Sequence, residues 1–426
     1  MNGKQKKSYS HAWVLYNHPY QSNLFATGDK TKQDSWNNRR QIIYHESIHS
    51  DIFLYYYDMH MYAKRFSIPG TERYRIRLAV NQILLYEATG DAARFSGIQT
   101  KWELRTVLEY NGDLNATRSK YRQWLNSALS THNDYNLQIA TKFFVEDYID
   151  VIYKYRIISD HYYNATVDRI PFSQPKNAAQ LINNWVNKTT DGRISELVNP
   201  DELEGAIITL INAVCFKGLW TYPFPEFTTI LTFYGKQKQV QASFMEQNGP
   251  FYYDDSDTLG AQLLRMPFQG GKFAMYFILP HQGKTVDDVL EKITPAALHL
   301  ALWYMDETEL NVTIPKFKFD FTEELNQPLK DIGIRKIFSQ SAFLRVLTHA
   351  IDARSENLVP RVIQKTGINI NHLGSGVHGA AEAHRVNKIV GDETQIFTAN
   401  RPFLFFIEDE DFGTLLIAGR VEDPTK

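Results

Sequence analysis

The sequence predicts a mixed α+β fold, and three observations support this class. Residues 273–280 and 312–319 have the alternation that is typical of β-strands. Residues 50–66 instead repeat apolar side chains at every third or fourth position, which predicts an amphipathic helix. Residues 374–383 are nearly all small, and their glycines and alanines favour a loop between more regular elements.

Length and composition allow a large core and exclude several classes of partner. The chain has 426 residues, of which 43% are hydrophobic and 13% aromatic. Its net charge of −2 predicts no general attraction to nucleic acids or anionic membranes. It has no apolar run of about 18 residues, as a transmembrane helix requires, and its polar, basic start lacks the apolar core of a signal peptide. Cys215 is the only cysteine, so no internal disulfide forms, and its apolar surroundings favour packing over reactivity.

Four Asn-x-Thr triplets, the acceptor sites for N-linked glycans, occur along the chain. They begin at Asn115, Asn164, Asn187 and Asn311. This number is close to what chance gives for so many asparagines, so the triplets are only weak support for secretion.

The segment from Gly374 onward has a composition that suits both a loop and a strand. In an extended strand, alternate side chains share a face. One face of this segment would carry only small, uncharged side chains, namely Ser375, Val377, Gly379, Ala381 and Ala383. We therefore predict a loop that is able to enter an existing sheet once something releases it.

The last part of the chain resembles a known family. Residues 397–409 and 413–424 closely resemble the terminal segment of the serpins, and residues 362–371 match the long central strand of that family without a gap. In serpins a mobile reactive-centre loop precedes two buried strands that run to the end of the chain. The resemblance implies the serpin fold, with three β-sheets, eight or nine helices and an exposed reactive-centre loop at about residues 374–396.

The other elements follow from the same resemblance, which is weak for residues 50–180 and strong for residues 180–424. The expected elements are, in order, a helix at residues 50–66, a strand entering a helix at 77–88, a helix at 100–108, a core strand at 137–148, a covering helix at 148–170, a helix and turn at 182–194, and strands at 210–220, 273–280 and 312–319. Residues 47–426 are expected to form one serpin-like domain. Residues 1–46 match nothing and are expected to be a flexible N-terminal extension.

The resemblance also implies a function in which the loop is bait for a serine protease. The protease cleaves the loop and forms an acyl-enzyme, and the freed loop inserts into the central sheet before the acyl-enzyme hydrolyses. Loop length puts the cleaved bond at Lys388–Ile389, and a lysine there suits the acidic pocket of a trypsin-like protease. Arg385 is a second basic candidate. The implied protein is a monomeric, extracellular inhibitor, not an enzyme, with no cofactor and with neither nucleic acid nor membrane as a partner.

Two groups of residues are expected to control insertion of the loop. The loop hinge comprises His372, Leu373, Gly374, Ser375, Gly376, Val377, His378, Gly379, Ala380 and Ala381. The region where the sheet opens comprises Asn212, Trp220, Lys316 and Gln364.

Several of these residues depart from the pattern of inhibitory serpins. An acid before the loop usually pairs with the lysine that matches Lys316, whereas His372 would repel it when protonated. Residues 376–379 replace an alanine-rich run, the usual Ser-Pro-x-Ser turn is missing, and Gln364 replaces a histidine, although its partner Asn212 remains. The alternative is therefore a non-inhibitory serpin that acts as a binding, carrier or chaperone-like protein.

One further motif offers metal chemistry as a competing interpretation. His45-Glu46-x-x-His49 has the pattern with which zinc proteases place two imidazoles one helical turn apart. No Gly-x-x-His continuation follows, and the motif lies in the unmatched N-terminal segment, so we interpret it as a solvated segment without metal. The chain also has neither a Gly-x-Ser-x-Gly nucleophile turn nor a glycine-rich phosphate loop. We therefore predict no catalytic residues.

Overall fold

A computed structural model describes residues 103, 114–130, 132–192, 194–338, 361–376 and 394–426. The helices expected at residues 50–66 and 77–88, and nearly all of 100–108, lie outside these residues. The α-helices within the described ranges are α1 Leu114–Ala128, α2 Tyr153–Tyr163, α3 Pro175–Thr189, α4 Val286–Lys292, α5 Pro295–Trp303 and α6 Asn326–Asp331. The described residues form six α-helices, so the expected total of eight or nine stays a prediction for the whole chain.

The described residues also form fourteen strands. In chain order these are β1 Tyr135–Glu146, β2 Ala165–Ile170, β3 Ile208–Leu219, β4 Thr229–Tyr234, β5 Gln239–Ser256, β6 Ala261–Pro267, β7 Phe273–Pro280, β8 Asp306–Pro315, β9 Phe317–Glu324, β10 Arg361–Ile370, β11 Gly374–Ser375, β12 Gln395–Thr398, β13 Phe403–Asp409 and β14 Thr414–Val421. The strands expected at residues 137–148, 210–220 and 273–280 correspond to β1, β3 and β7. The strand expected at residues 312–319 is instead divided between β8, which ends at Pro315, and β9, which begins at Phe317.

Six strands form the large sheet, in the order β2-β1-β3-β11-β10-β9. β3 and β10 run parallel and pair directly, from Thr209 opposite Arg361 to Cys215 opposite Gly367. Beyond Cys215 and Gly367 the short strand β11 lies between them. β3 is buried along almost its whole length, as is usual for a central strand that is covered on both faces.

The remaining strands form a second sheet, in the order β12-β8-β5-β6-β7-β13-β14, with β4 paired to β5. The 18-residue strand β5 explains why the expected second and third sheets are joined. Its first third, residues 239–244, pairs with β4, its middle, residues 244–253, pairs with β8, and its last residues, 252–256, pair with β6. A single long strand therefore carries hydrogen bonds to two sets of neighbours.

The covering helix expected over residues 148–170 was wrong in its extent. The helix α2 ends at Tyr163, and Asn164 follows in the left-handed conformation, with φ of 49°. Residues 165–170 then form β2, which pairs in parallel with β1 from Thr141 opposite Ala165 onward. Asparagine is one of the few residues that tolerate this conformation, so Asn164 ends the helix and lets the chain return to the sheet.

The two expected terminal strands are buried neighbours, as predicted. β13 lies between β7 and β14 and is antiparallel to both, and every one of its residues is buried. Cys215 also behaves as expected, because it is buried in the cluster that packs α3 against the large sheet. All described residues belong to one compact unit, and the domain boundary between residues 46 and 47 stays a prediction.

An aromatic cluster joins the two sheets. Phe268, at the end of β6, stacks on Trp220 with 4.5 Å between ring centroids and meets Phe216 edge-on at 4.8 Å. Phe273 meets the other side of Phe216 at 5.2 Å. Phe216 lies near the end of β3, and Trp220 directly follows this strand. The cluster therefore joins the C-terminal end of β3 to the second sheet.

The second sheet also contains buried charges that the sequence did not predict. Glu410 accepts two hydrogen bonds from Arg265, at 2.7 and 2.6 Å, and one from the Tyr276 hydroxyl. Lys272 donates to the Ser127 carbonyl at the end of α1 and lies 3.8 Å from Asp409. Burial raises the pKa of Asp409 to about 7, although Lys272 opposes this shift. These contacts fasten α1 to the sheet. Among the described helices, none is long and apolar enough to cross a bilayer.

We expect Phe268→Ala to lower the free energy of unfolding by about 3–5 kcal/mol, because a fully buried aromatic side chain leaves a cavity. Denaturant unfolding followed by tryptophan fluorescence measures the loss, since Trp220 stacks on the deleted ring. Phe227→Ala is the matched control, because 68% of that side chain is exposed and its loss should change stability by no more than about 0.5 kcal/mol. Equal effects of the two substitutions would contradict the assignment of this core.

Candidate functional site

The hinge predicted from the sequence begins in a tight turn after β10. The Asn371 amide donates to the Gly374 carbonyl at 3.0 Å, and the Gly374 amide donates back to the Asn371 carbonyl at 3.3 Å. The Asn371 side-chain oxygen accepts from the amides of Leu373 and Gly374, at 2.9 and 3.2 Å. Asparagine side chains commonly close turns in this way. The turn reverses the chain and directs Gly374 back toward the large sheet.

The first residues of the loop already occupy the sheet. Gly374 lies opposite Leu219 of β3, and Ser375 lies opposite both Gly218 of β3 and Ile370 of β10. Ser375 is fully buried, with its hydroxyl 3.4 Å from the Phe216 carbonyl oxygen that it donates to. The Gly376 amide donates to the Asn369 carbonyl at 2.7 Å. A two-residue strand is thus inserted between β3 and β10.

Only glycine fits at position 374. A Cβ atom built there would lie 2.0 Å from the carbonyl oxygen of Gly218, which is a backbone atom and cannot rotate away. Any other residue at this position has to move the hinge turn or displace β3. Gly374 is therefore the residue that permits the close approach of the turn to β3.

The segment after β3 clamps the hinge turn. The Trp220 amide donates to the Leu373 carbonyl at 2.8 Å, and its indole Nε1 donates to the Asn371 carbonyl at 3.1 Å. The Phe224 amide donates to the His372 carbonyl at 2.9 Å. Leu373 is buried beneath these contacts. Three carbonyls of the turn are thus held by one short segment, which includes the predicted Trp220.

The structure brings His372 into the electrostatic field of Lys316. Burial lowers the pKa of His372, the positive charge of Lys316 lowers it further, and Glu226 opposes both effects. Nδ1 of His372 is buried without a hydrogen-bond partner. Burial and the charge of Lys316 thus favour the neutral imidazole, and position 372 has a histidine where the serpin pattern has an acid.

The predicted pair Asn212 and Gln364 lies deeper in the same sheet, on adjacent strands β3 and β10. Gln364 Nε2 donates to Asn212 Oδ1 at 3.2 Å, and Asn212 Nδ2 donates to Thr141 Oγ1 of β1 at 3.1 Å. Both residues are buried, and among the described residues Oε1 of Gln364 has no hydrogen-bond partner. This latch of three side chains links three strands.

The remaining predicted site residues lie outside the described ranges, as does the His45–His49 motif. These residues are Val377, His378, Gly379, Ala380, Ala381, Arg385, Lys388 and Ile389. The chain resumes at Thr394, and β12 then pairs in parallel with β8 of the second sheet. The two ends of the loop are therefore anchored in different sheets.

Sequence reasoning missed Asn371, Phe224 and Thr141. The Asn-x-x-Gly spacing of residues 371–374 is a turn signal that could have identified Asn371. Phe224 and Thr141 contribute through contacts from distant parts of the chain and carry no local signal. Within the described ranges, no group of three or more histidine, cysteine or acidic side chains is arranged to hold a metal ion.

Comparisons with known proteins agree with this geometry. A family model described as serpin (serine protease inhibitor) matches residues 94–424. "Serine protease inhibitor 2" of Anopheles gambiae is 53% identical over 343 residues, which cover 80% of this chain and 84% of that protein. The structure of Serpin48 from Tenebrio molitor matches with a TM-score of 0.73 at 25% identity, over 93% of this chain and 100% of that one. A thyroxine-binding globulin complexed with thyroxine matches with a TM-score of 0.74 at 20% identity, over 88% and 99%. The predicted fold class is thereby confirmed.

We expect Gly374→Ala to expel the hinge from the large sheet, because its Cβ would overlap the Gly218 carbonyl. Hydrogen–deuterium exchange should then accelerate in residues 371–376 and at Trp220, while β13 and β14 exchange as before. Gly271→Ala is the matched control, because Gly271 also has a positive φ but has open space around its Cβ position. Unchanged protection of residues 371–376 in Gly374→Ala would refute the steric argument.

The clamp should also weaken in mild acid. The pKa of His372 in the clamped turn lies below its ordinary value of 6.5, so the clamped form binds fewer protons than a released form. Its stability is therefore complete above pH 6.5 and is lost as the pH falls through the lowered pKa. After correction for intrinsic rates, exchange of residues 371–376 should rise as the pH falls below about 6.5. His372→Gln should abolish most of this rise, and His281→Gln should retain it; an identical response of all three proteins would exclude His372 as the cause.

Proposed function

The chain belongs to the serpin family, and we propose that it inhibits a trypsin-like serine protease by presenting Lys388–Ile389 as a substrate bond. The attacking serine of the protease would form an ester with the Lys388 carbonyl and release Ile389 as a new amino terminus. Residues 375–388 would then be free at one end. Insertion of this strand into the large sheet carries the bound protease away before water cleaves the ester.

The observation that carries this proposal is the position of β11. Because Gly374 and Ser375 already lie between β3 and β10, insertion starts from an existing end of the new strand. The strand would extend by separating the seven residue pairs that join β3 directly to β10. One ladder is lost and two are gained, and about ten new ladder bonds at roughly 1 kcal/mol each make insertion favourable.

The observed register defines where each loop residue would go. Ser375 lies opposite Gly218 and Ile370. Ala381 follows Ser375 by six residues, so in a continuous antiparallel strand it would lie opposite Asn212 and Gln364, six residues before Gly218 and Ile370. These two residues form the latch described above. Insertion therefore has to break the Asn212–Gln364 hydrogen bond and place the small side chain of Ala381 between them.

The alternative of a non-inhibitory carrier also rests on a specific observation. The hinge is clamped in place by Trp220 and Phe224, and His372 stands where inhibitory serpins have an acid. If the latch of Asn212, Gln364 and Thr141 opens more slowly than the ester hydrolyses, the loop is a simple substrate. The match to thyroxine-binding globulin, at 20% identity, concerns the fold alone. For the inhibitory function we further propose an extracellular, monomeric protein, as the family resemblance implies.

The experiment that decides between these functions is incubation with trypsin, followed by electrophoresis in SDS. Inhibition predicts a complex that survives denaturation and a released peptide that begins at Ile389. Lys388→Ala should abolish both products, whereas Arg385→Ala should retain them. Clipping after Lys388 without any stable complex would favour the carrier function, and a complex in Lys388→Ala would move the reactive bond.

The register argument predicts that position 381 tolerates only a small, uncharged side chain. Ala381→Glu would bury a charge between Asn212 and Gln364, so insertion should fail and trypsin should clip the loop without forming a complex. Ala381→Ser is the matched control, because it keeps a small, uncharged side chain at the same position. Complex formation by Ala381→Glu at the wild-type level would disprove the inserted register.

A further inference from the structure

The four Asn-x-Thr triplets are equivalent in the sequence, but they differ in exposure and hydrogen bonding in the structure. An N-linked glycan is a bulky, hydrophilic group, so the folded protein must leave the asparagine amide and its surroundings open to solvent. The threonine two residues later is part of the acceptor signal. The exposure and hydrogen bonding of each triplet therefore indicate which sites the fold can accommodate.

Asn311 and Asn187 lie in packed surroundings. Asn311 is half-buried in β8, opposite Asn248 of β5 and Ile396 of β12, so it has neighbouring side chains on both sides, and Thr313 is buried. Asn187 is half-buried on α3, the helix that covers the large sheet. The hydroxyl of Thr189 in that triplet donates to the Trp185 carbonyl within the helix. A glycan at either asparagine would have to displace packed groups.

Asn115 is exposed in the first turn of α1, but its carboxamide is already engaged. Its Oδ1 accepts a hydrogen bond from Nη1 of Arg118 at 3.4 Å, and Arg118 is buried. Attachment of a sugar at this amide would disturb the position of a buried arginine.

The side chain of Asn164, unlike those of the other three asparagines, is neither half-buried nor hydrogen-bonded to a buried residue among those described. It is exposed at the corner where α2 ends and β2 begins, and Thr166 of the same triplet is exposed as well. Its left-handed backbone conformation, with φ of 49°, takes the residue out of the helix before the chain enters the strand. The backbone amide of Asn164 donates to α2, and among the described residues no hydrogen bond engages its carboxamide.

We propose that Asn164 carries an N-linked glycan, and that Asn187 and Asn311 stay unmodified. The inference rests on the extracellular location in the proposed function. In the transfer, Nδ2 of Asn164 forms a bond to C1 of the first sugar of a lipid-diphosphate-linked oligosaccharide. The bond between C1 and the phosphate oxygen breaks, the lipid diphosphate leaves with the electron pair, and Nδ2 gives one proton to a base of the transferase.

The position of this glycan is compatible with loop insertion. Two strands, β1 and β3, separate β2 from the place between β3 and β10 where the loop would insert. The sugar would therefore stand at the side of the large sheet, away from the path that the loop takes. By contrast, a glycan on Asn187 would modify the helix that covers this sheet.

The test uses the full chain secreted from insect cells and digested to peptides. Release of glycans by peptide N-glycosidase A in heavy-oxygen water converts each occupied asparagine to a labelled aspartate, which mass spectrometry locates. We expect the label at Asn164 and at neither Asn187 nor Asn311. Thr166→Ala should lose the label while keeping Asn164 itself, and Thr166→Ser should retain it because serine also completes the acceptor signal.

Two results would overturn the inference: an unlabelled Asn164 in the secreted wild-type protein, or a label at Asn187 or Asn311. The outcome is independent of inhibition, because Thr166→Ala should still react with trypsin as the wild-type protein does. A glycosylated chain that trypsin merely clips would refute the inhibitory function and leave the assignment of Asn164 intact.

Discussion

The contact between Gly374 and the Gly218 carbonyl is the constraint on which the functional geometry depends. It brings the hinge turn so close to β3 that a Cβ atom would stand 2.0 Å from the carbonyl oxygen. This approach allows Gly374 and Ser375 to pair with β3 and lets Trp220 and Phe224 bind the carbonyls of the turn. The loop is thereby joined to the large sheet at one end before any protease arrives.

The clamp holds one end of the new strand, and other contacts oppose the rest of the insertion. Trp220 and Phe224 together make three hydrogen bonds to the turn, worth about 1 kcal/mol each, and they hold the end of the strand in register. The rest of the insertion path is obstructed by the direct pairing of β3 with β10 and by the latch of Asn212, Gln364 and Thr141. Insertion therefore requires this pairing and the latch to open, whereas the clamped turn can stay in place.

Local patterns predicted the strands well where packing and alternation agree. β7 and residues 403–407 of β13 consist of apolar side chains that are buried in the structure, and the sequence indicated both strands. The helix that the family resemblance implied over residues 148–170 was too long, because Asn164 adopts a left-handed conformation and residues 165–170 pair with β1 instead.

The described hinge residues, 372–376, and the predicted sheet-opening residues lie in or beside the large sheet, and their part in loop insertion stays a prediction. From the family pattern, Asn212 and Gln364 were expected to be partners. His372 was expected to stand where an acid usually pairs with Lys316. Insertion of Gly374 and Ser375 depends on Gly218 and Trp220, which lie about 155 residues earlier in the chain, so no local pattern could indicate it. The buried pair of Arg265 and Glu410 had no sequence signal for the same reason.

The most direct measurement of the central claim is the melting temperature of the chain before and after cleavage at Lys388–Ile389. If the freed loop completes the large sheet, about ten added ladder bonds at roughly 1 kcal/mol each should make the cleaved protein melt well above the intact one. Calorimetry of both forms, with the cleavage site verified by mass spectrometry, gives the comparison. Equal melting temperatures would show that the loop does not insert and would contradict the account.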